Sequence, residues 1–277
     1  MHLAQDEARC ASSGFLKLAS SMKVKSYAGS LKLTFLGTRG EVEARSRRHR
    51  RHSSLLVQCD EARIMIDCGT DWLGRLDAVA PTAIVLTHAH PDHAAGLAEG
   101  APCPVYATKV TWDLIRRFPI DGRRRLPLRR SIMIDGVRFK VFPVEHSVRA
   151  PAVGFRVSAD DGCFFYVPDV AGIPDAAHAL RSINVYIGDG ATMKRSMVRR
   201  KRRTVIGHAP ISSQLDWCEK GNVRRAIFTH CGSPIVRGDA RKLNAMLRRI
   251  GRQHGVEARF ACDGDRLSFA DSGYRRW

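Results

Sequence analysis

The 277-residue sequence lacks any apolar run of the roughly 18–20 residues that a membrane-spanning helix needs. Its first thirty residues carry Asp6 and Glu7 early and contain no uninterrupted apolar stretch of signal-peptide length. These absences argue against membrane insertion and against export through such a peptide. We therefore expect a soluble, cytoplasmic protein with no membrane partner.

Paired cysteine motifs are also missing, because the eight cysteines are scattered and form no C-x-x-C pair. This argues against a zinc ribbon and against a thioredoxin-type redox motif. The chain has no internal repeat and no Pro/Ser-rich linker. The simplest organisation is an N-terminal extension over residues 1–30, predicted to be disordered or mobile, and one domain over residues 31–277.

Acidic residues are few: 27 Asp and Glu face 46 Lys and Arg, which gives a formal net charge of +19. Of the 46 cations, 36 are arginine and only 10 are lysine. The cations cluster at 39–51, 116–130 and 194–203. Such an excess indicates a polyanionic partner, although solvated arginines reflecting genome composition are the alternative.

Short apolar runs rich in β-branched residues follow one another from Leu31 onward and are bounded by Gly, Pro, Asp or Asn, which predicts strands. They lie at 31–37, 54–59, 62–69, 82–88, 131–134, 137–144, 153–158, 163–169, 183–190 and 224–230. Helical patterns cover 109–118, 174–181, 211–221 and 239–255. Strands and helices that mix in this way predict a layered α/β domain.

The strongest motif is TAIVLTHAHPDHAAGL, in which an apolar strand is followed by three histidines and one aspartate within six residues. His88 and His90 are two residues apart, so in extended backbone they project to the same side. Pro91 disfavours helix at the residue before it, and we expect a helix to start at Ala94. Imidazole and carboxylate together are ligands for Zn²⁺ or Mn²⁺.

HAHPDH after an apolar strand resembles the H-x-H-x-D-H signature of the metallo-β-lactamase-fold metallohydrolases. Later signatures of that family follow in order, each after an apolar run: His146 in FPVEHS, Asp169 in FYVPDVAG and His230 in AIFTHCG. The resemblance implies an αββα sandwich with the site at one edge of its two sheets.

The resemblance also implies a dinuclear site for Zn²⁺ or Mn²⁺. It assigns His88, His90 and His146 to the first metal and Asp92, His93 and His230 to the second, with Asp169 bridging both. Asp67, in IMIDCG, would orient these ligands without binding a metal. A hydroxide shared by two such cations can attack a phosphoryl or carbonyl group.

His208, in TVIGHAPI, follows a further apolar run and distinguishes the possible reactions. In the phosphodiesterase branch of the family, an extra histidine donates a proton to the leaving alkoxide. That branch includes the tRNA 3′-processing endonucleases and the cyclic ribose phosphodiesterase of phosphonate breakdown. The resemblance therefore makes His208 the general acid and places it with Asp92 as catalytic. A structural loop histidine is the alternative.

The segment RSRRHRRHSS lies between two predicted strands, at the end of the fold where this family has its active site. Arginines there can bind phosphates through paired hydrogen bonds. We expect phosphate contacts from Arg39, Arg47, Arg48, Arg50 and Arg51. His49 and His52 are expected to be loop or phosphate contacts rather than metal ligands.

Two features of the branch are missing: the cysteine cluster of the phosphonate-pathway enzyme and an insertion long enough for the exosite arm of the tRNA-processing enzymes. We expect a phosphodiesterase acting on a nucleotide-type or nucleic-acid substrate, RNA or DNA. The alternatives are a thioester or lactone hydrolase of the same fold and a nucleic-acid-binding protein with a structural metal site. The sequence leaves the exact substrate and the oligomeric state open, a homodimer included.

Overall fold

The computed structural model describes residues 30–160, 162–201 and 204–269. The predicted N-terminal extension lies outside the described residues except for Ser30, as do the last eight residues of the predicted domain. Within the described residues, no helix is both long and apolar enough to cross a membrane.

Sixteen strands are found in the described residues. They are β1 (Lys32–Gly37), β2 (Ser54–Cys59), β3 (Ala62–Ile66), β4 (Ala83–Val85), β5 (Val105–Ala107), β6 (Arg123–Arg125), β7 (Ser131–Ile134), β8 (Val137–Val144), β9 (Ala152–Ala159), β10 (Gly162–Tyr166), β11 (Val185–Asp189), β12 (Arg199–Lys201), β13 (Thr204–Ile206), β14 (Arg225–Thr229), β15 (Glu257–Phe260) and β16 (Arg266–Ser268).

The described helices are mostly short. They are α1 (Leu76–Val79), α2 (Pro91–Ala94), α3 (Lys109–Leu114), α4 (Ala176–Ala179), α5 (Ile211–Lys220), α6 (Ser233–Val236) and α7 (Ala240–Gln253), with 3₁₀ turns at Thr70–Trp72 and Ala95–Leu97. All ten predicted strand runs and all four predicted helices are present, several of them shortened at their ends.

The strands form two seven-stranded sheets and one two-stranded ribbon, β12–β13. The first sheet has the order β16-β1-β2-β3-β4-β5-β6, and the second has the order β15-β14-β11-β10-β9-β8-β7. In the second sheet β10, β11 and β14 are parallel, and β9 is antiparallel to both β8 and β10. The carboxyl ends of β8, β10, β11 and β14 therefore meet at one edge.

Three apolar layers hold the fold together. Between the sheets, Phe35 and Leu55 pack with residues of the second sheet that include Phe155. Leu56, the strand neighbour of Leu55, faces the opposite way, toward α1. On the outer face of the second sheet, Phe228 belongs to a cluster that includes Leu247 of α7. Helices thus cover the outside of both sheets, which confirms the predicted αββα sandwich.

Candidate metal centre

Polar side chains gather where the strands end. His88 lies three residues after β4, and His146 lies two residues after β8. Asp169 follows β10, and His230 comes directly after β14. Because four strands of the second sheet point to this edge, the topology alone brings distant parts of the chain together.

The HAHPDH segment has an extended half and a helical half. His90 has φ −64° and ψ 150°, which is extended, and Pro91 is the first residue of α2. The helix therefore begins three residues earlier than the predicted start at Ala94, because proline is favoured in the first turn. Asp92 and His93 are thus on α2, and they point in a different direction from His88 and His90.

His88, His90 and His146 form a first cluster whose nitrogen atoms converge. His88 Nε2 lies 3.0 Å from His90 Nδ1, and His146 Nε2 lies 3.3 Å from the same atom. Burial lowers the pKa of His88 well below its ordinary value, so this imidazole is neutral. Neutral imidazoles that face one another are the form in which histidine binds a metal ion.

Asp92, His93, Asp169 and His230 form a second, fully buried cluster. His93 Nε2 is 2.7 Å from Asp169 Oδ2 and 3.2 Å from Asp92 Oδ2. His230 Nε2 is 3.1 Å from Asp92 Oδ2, and its Nδ1 is 3.1 Å from Asp169 Oδ1. Within each cluster, every residue can offer one ligand atom, and the atoms offered lie within 4.8 Å of one another.

Several polar atoms of this centre are not satisfied by hydrogen bonds to one another, which suits the binding of a metal ion. His93 Nε2, Asp169 Oδ1 and His230 Nδ1 are buried and have no hydrogen bond of acceptable geometry within the described residues. Buried polar atoms without partners are costly, so an arrangement of this kind needs a further group. A mixed set of imidazole nitrogens and carboxylate oxygens suits Zn²⁺ or Mn²⁺.

Asp169, a member of the second cluster, also approaches the first cluster and His208. Its Oδ2 is 3.4 Å from His88 Nε2, and its Oδ1 is 3.3 Å from His208 Nδ1. Burial raises the pKa of this carboxyl, but the surrounding histidines, His230 foremost, outweigh burial and hold it well below the ordinary value. The ionised carboxylate is therefore in a position to contact groups on both sides.

Asp67 is hydrogen-bonded to His93 of α2 on the side away from the other ligands. Its carboxylate accepts hydrogen bonds from Thr87 N at 2.8 Å, from Thr87 Oγ1 at 2.8 Å and from His93 Nδ1 at 2.9 Å. With Nδ1 held in this way, His93 presents Nε2 to the centre. This is the arrangement expected of a residue that orients a ligand.

His208 and Asp189 form a pair beside Asp169. The Nδ1–H group of His208 donates to Asp189 Oδ2 at 2.8 Å, and Asp189 itself is fully buried. Burial opposes protonation of His208, but Asp189 outweighs it and raises the pKa of the imidazole to about 9. The sequence reasoning missed Asp189, although this residue ends an apolar strand as the predicted site residues do.

The backbone of the centre is tightly constrained at two places. His230 has a left-handed φ of +53°, which turns the chain sharply after β14. A Cβ atom on Gly40 would lie 3.0 Å from His230 Cε1, so the loop after β1 passes directly over this ring. Residues near Gly40 are thereby brought to the rim of the centre.

The loop between β1 and β2, residues 38–53, is called the arginine loop below. Asp71 accepts hydrogen bonds from Arg39 Nη2 at 2.7 Å, from Arg45 Nη1 at 3.0 Å and from His52 N at 2.9 Å. On the other side, Asp263 accepts from Thr38 Oγ1 and from the backbone of Arg50. Two carboxylates distant in sequence therefore hold the loop in one conformation.

The five arginines that were expected to bind phosphate differ in their exposure and contacts. Arg39 is only 2% exposed, and its guanidinium donates to Asp71 and to the Val42 carbonyl, so the expectation of a phosphate contact is corrected for this residue. The guanidinium of Arg51 lies 4.8 Å from the centre of the Trp72 ring, in cation–π contact. The members of the set that remain exposed are Arg47, Arg48, Arg50 and Arg51.

His49 and His52 are buried inside the arginine loop. His49 Nδ1 lies 2.8 Å from Thr38 Oγ1, and His52 lies between Arg39 and Asp71. Burial lowers the pKa of both imidazoles to about 4. Both histidines are therefore neutral loop residues. This is one of the two roles expected from the sequence, the other being a phosphate contact.

This burial predicts an acid-sensitive stability. Unfolded His49 takes up a proton near pH 6.5 and folded His49 only near pH 4, so the unfolded state binds more protons between these values. Its contribution is complete above pH 6.5 and falls as the pH is lowered toward 4, by roughly 1–3 kcal/mol. Denaturant unfolding of the wild type and of His49→Asn across this range measures the effect. A slope of stability against pH that is the same in both proteins would contradict it.

Comparison with known proteins supports the fold described above. The family model of the beta-lactamase superfamily domain matches residues 62–231, which is more than half of the chain. The matched range contains His88, Asp169 and His230, and it ends one residue after His230.

Two curated relatives are ribonucleases Z. The protein from Methanopyrus kandleri is 39% identical over a 145-residue alignment that covers 46% of this chain and 50% of that protein. The protein from Mycobacterium bovis is 26% identical over a 169-residue alignment that covers 47% of this chain and 59% of that protein. The matches therefore span between half and three-fifths of these relatives' length.

Solved structures with the same fold match over most of their length. A diphosphatase of the PhnP family has a TM-score of 0.65 at 21% identity, and the match covers 86% of this chain and 97% of that one. The short form of human tRNase Z has a TM-score of 0.59 at 18% identity, with 86% and 99% covered. At these identities the likeness establishes the fold alone.

Proposed function

The chain belongs to the beta-lactamase superfamily and has its metallo-β-lactamase fold, and from this premise we propose that it is a dinuclear metal-dependent phosphodiesterase acting on a nucleotide-type or nucleic-acid substrate. The observation that carries the proposal is the His208–Asp189 pair beside the two clusters, 3.3 Å from Asp169. Two clusters of ligands fit several hydrolytic reactions, whereas a positioned proton donor is needed most by a phosphodiester with an alkoxide leaving group.

The proposed ligand sets follow the two clusters. One metal ion would be held by His88, His90 and His146 and the other by Asp92, His93 and His230, with Asp169 within reach of both sets. When bound, two divalent ions such as Zn²⁺ or Mn²⁺ supply a nucleophile at neutral pH and stabilise negative charge on the phosphoryl oxygens. Asp67 keeps His93 oriented toward its ion.

His208 is proposed as the general acid. Its Nδ1 is occupied by Asp189, which fixes the ring and leaves Nε2 to exchange a proton with the substrate. In the reaction, the oxygen of water bonds to phosphorus and gives up one proton to solvent, and the bond from phosphorus to the leaving oxygen breaks. His208 delivers a proton to that leaving oxygen and is then reprotonated from solvent. Its partial exposure, 21% of the side chain, is compatible with such contact.

The arginine loop is proposed to bind the substrate's phosphates through Arg47, Arg48, Arg50 and Arg51. The loop is held by Asp71 and Asp263, so these side chains lose little backbone freedom when they bind. The name of the relatives, ribonuclease Z, supports RNA as the polymeric substrate.

The seven described cysteines are free, which supports a reducing compartment such as the cytoplasm.

A panel of substrates tests the proposal. The purified protein, with its metal content measured, is assayed on an activated phosphodiester, a 2′,3′-cyclic nucleotide, single-stranded RNA and DNA, a lactone and a thioester. We expect phosphodiester hydrolysis that is lost after chelation and restored by Zn²⁺ or Mn²⁺. Preference for the thioester or the lactone would favour the corresponding hydrolase, and binding of nucleic acid without turnover would favour a structural metal site.

A further inference from the structure

A basic groove runs along α7, outside the metal centre. One cavity of about 400 Å³ is lined by Arg48, Ala240, Arg241, Asn244 and Arg248. A second cavity of about 350 Å³ continues from Arg248 to Arg252 and reaches Glu257 at the start of β15. The two cavities both contact Arg248 and lie next to each other along α7, and together they are called the α7 groove below.

The arginines of the groove lie on one side of the helix. Arg241 and Arg248 are seven residues apart and Arg252 follows four residues later, spacings that return to the same helical face. At a rise of about 1.5 Å per residue they cover roughly 16 Å along the axis. All three are exposed. Arg48 adds a fourth guanidinium from the arginine loop.

The guanidiniums of the groove are unpaired among the described residues. In the part of the chain that the structure describes, the guanidiniums of Arg48, Arg241, Arg248 and Arg252 form no ion pair or hydrogen bond. The nearby carboxylates have other roles, since Asp239 accepts from the backbone N–H groups at the start of α7 and Glu257 pairs with Arg225 at 3.7 Å. Four unpaired guanidiniums along one groove make a surface for a polyanion.

We propose that the α7 groove binds the phosphate backbone of a nucleic-acid strand whose scissile phosphodiester lies in the metal centre. The proposal rests on the proposed function and deepens it, because it makes the substrate a polymer rather than a small cyclic phosphodiester. Regularly spaced guanidiniums match a chain of phosphates better than a single phosphate. Contacts of this kind do not read base identity.

The groove and the centre are joined by the arginine loop. Gly40 packs against His230 at one end of this segment, and Arg48, eight residues later, lines the groove. Asp263 fixes the loop near Arg48, since it binds the backbone N–H groups of Arg50 and Arg51. A strand held in the groove is thereby directed to the rim of the centre.

The test compares the wild type with the triple variant Arg241→Ala, Arg248→Ala, Arg252→Ala. The probes are a fluorescent single-stranded RNA and a DNA of the same sequence, bound at a series of salt concentrations. For single strands each lost phosphate contact makes the negative slope of log K against log salt shallower by about 0.7, so we expect the slope of the triple variant to be shallower by about 2. Affinity should fall roughly 10- to 100-fold at low salt.

A matched control removes three exposed arginines elsewhere, Arg75, Arg138 and Arg181, and hence the same net charge. We expect its salt slope to stay near that of the wild type. Hydrolysis of a small activated phosphodiester should be unchanged in both variants. Equal slopes in the wild type and the α7 variant, equal losses in the two variants, or no binding of either strand would overturn the groove proposal. Absence of small-substrate hydrolysis in the wild type would instead overturn the proposed function.

Discussion

Replacing Asp169 with asparagine is expected to lower kcat/KM for an activated phosphodiester by about 10³-fold or more. Asp169 approaches residues of both clusters, with Oδ2 3.4 Å from His88 Nε2 in the first and Oδ1 3.1 Å from His230 Nδ1 in the second. Asparagine keeps the size of the side chain, but it loses the negative charge and one of the two acceptor oxygens. The metal content of the variant, measured with its rate, should fall as well.

Asp77→Asn is a suitable control for this experiment, because Asp77 is an exposed carboxylate on α1, away from both clusters. It should keep both its metal content and its rate. The thermal unfolding of each variant must also be measured, since a buried charge is removed in one of them. If Asp169→Asn kept its fold, its metal and more than a tenth of the wild-type rate, a bridging role for Asp169 would be wrong.

His208→Ala is expected to lower the rate by roughly 10²–10⁴-fold on substrates whose leaving group is an alkoxide, such as RNA or a cyclic nucleotide. On a p-nitrophenyl phosphodiester the loss of rate should be much smaller, because p-nitrophenolate departs without being protonated. The ratio of the two losses measures proton donation separately from any effect on folding or metal binding.

Asp189→Asn should show the same dependence on the leaving group, but with a smaller loss, roughly 10- to 100-fold. Asparagine can still accept from His208 Nδ1, but it no longer offsets the charge of the imidazolium. Thr204→Ala, an exposed position on the same chain segment, is a control that should retain both activities. Equal losses on both substrates in His208→Ala would show that His208 is a structural residue instead.

Most of the sheet framework could be predicted because its strands carry strong local signals. The runs at 54–59 and 137–144 coincide with β2 and β8 residue for residue. Four strands of the two sheets were missed. Among them, β6 is Arg-Arg-Arg and β15 is Glu-Ala-Arg-Phe, so neither forms an apolar run. β15 exists because it pairs with β14 and buries Phe260, a partnership that no local pattern reveals.

The roles of individual polar residues were harder to predict from local sequence. Arg39 is one arginine in a basic segment, and nothing adjacent to it indicates the buried contact with Asp71, thirty-two residues away. Asp189 has the same placement at a strand end as Asp169, but it became informative only when His208 was found 2.8 Å from it. Asp263 is separated from the loop it holds by more than two hundred residues.

The sequence by itself determined the layered α/β class, because hydrophobic periodicity is a local property. The family resemblance carried by HAHPDH and the later strand-end residues implied the αββα architecture and the candidate ligands. The sequence also determined the excess of arginine, but not which arginines are available to a partner. Tertiary structure alone decided that Arg39 is used internally, that Asp189 holds His208, and that Arg48 joins the arginines of α7 in one groove. The physical reason is that these facts depend on which side chains become neighbours when strand ends and loops meet, and on the burial and charge that each then experiences.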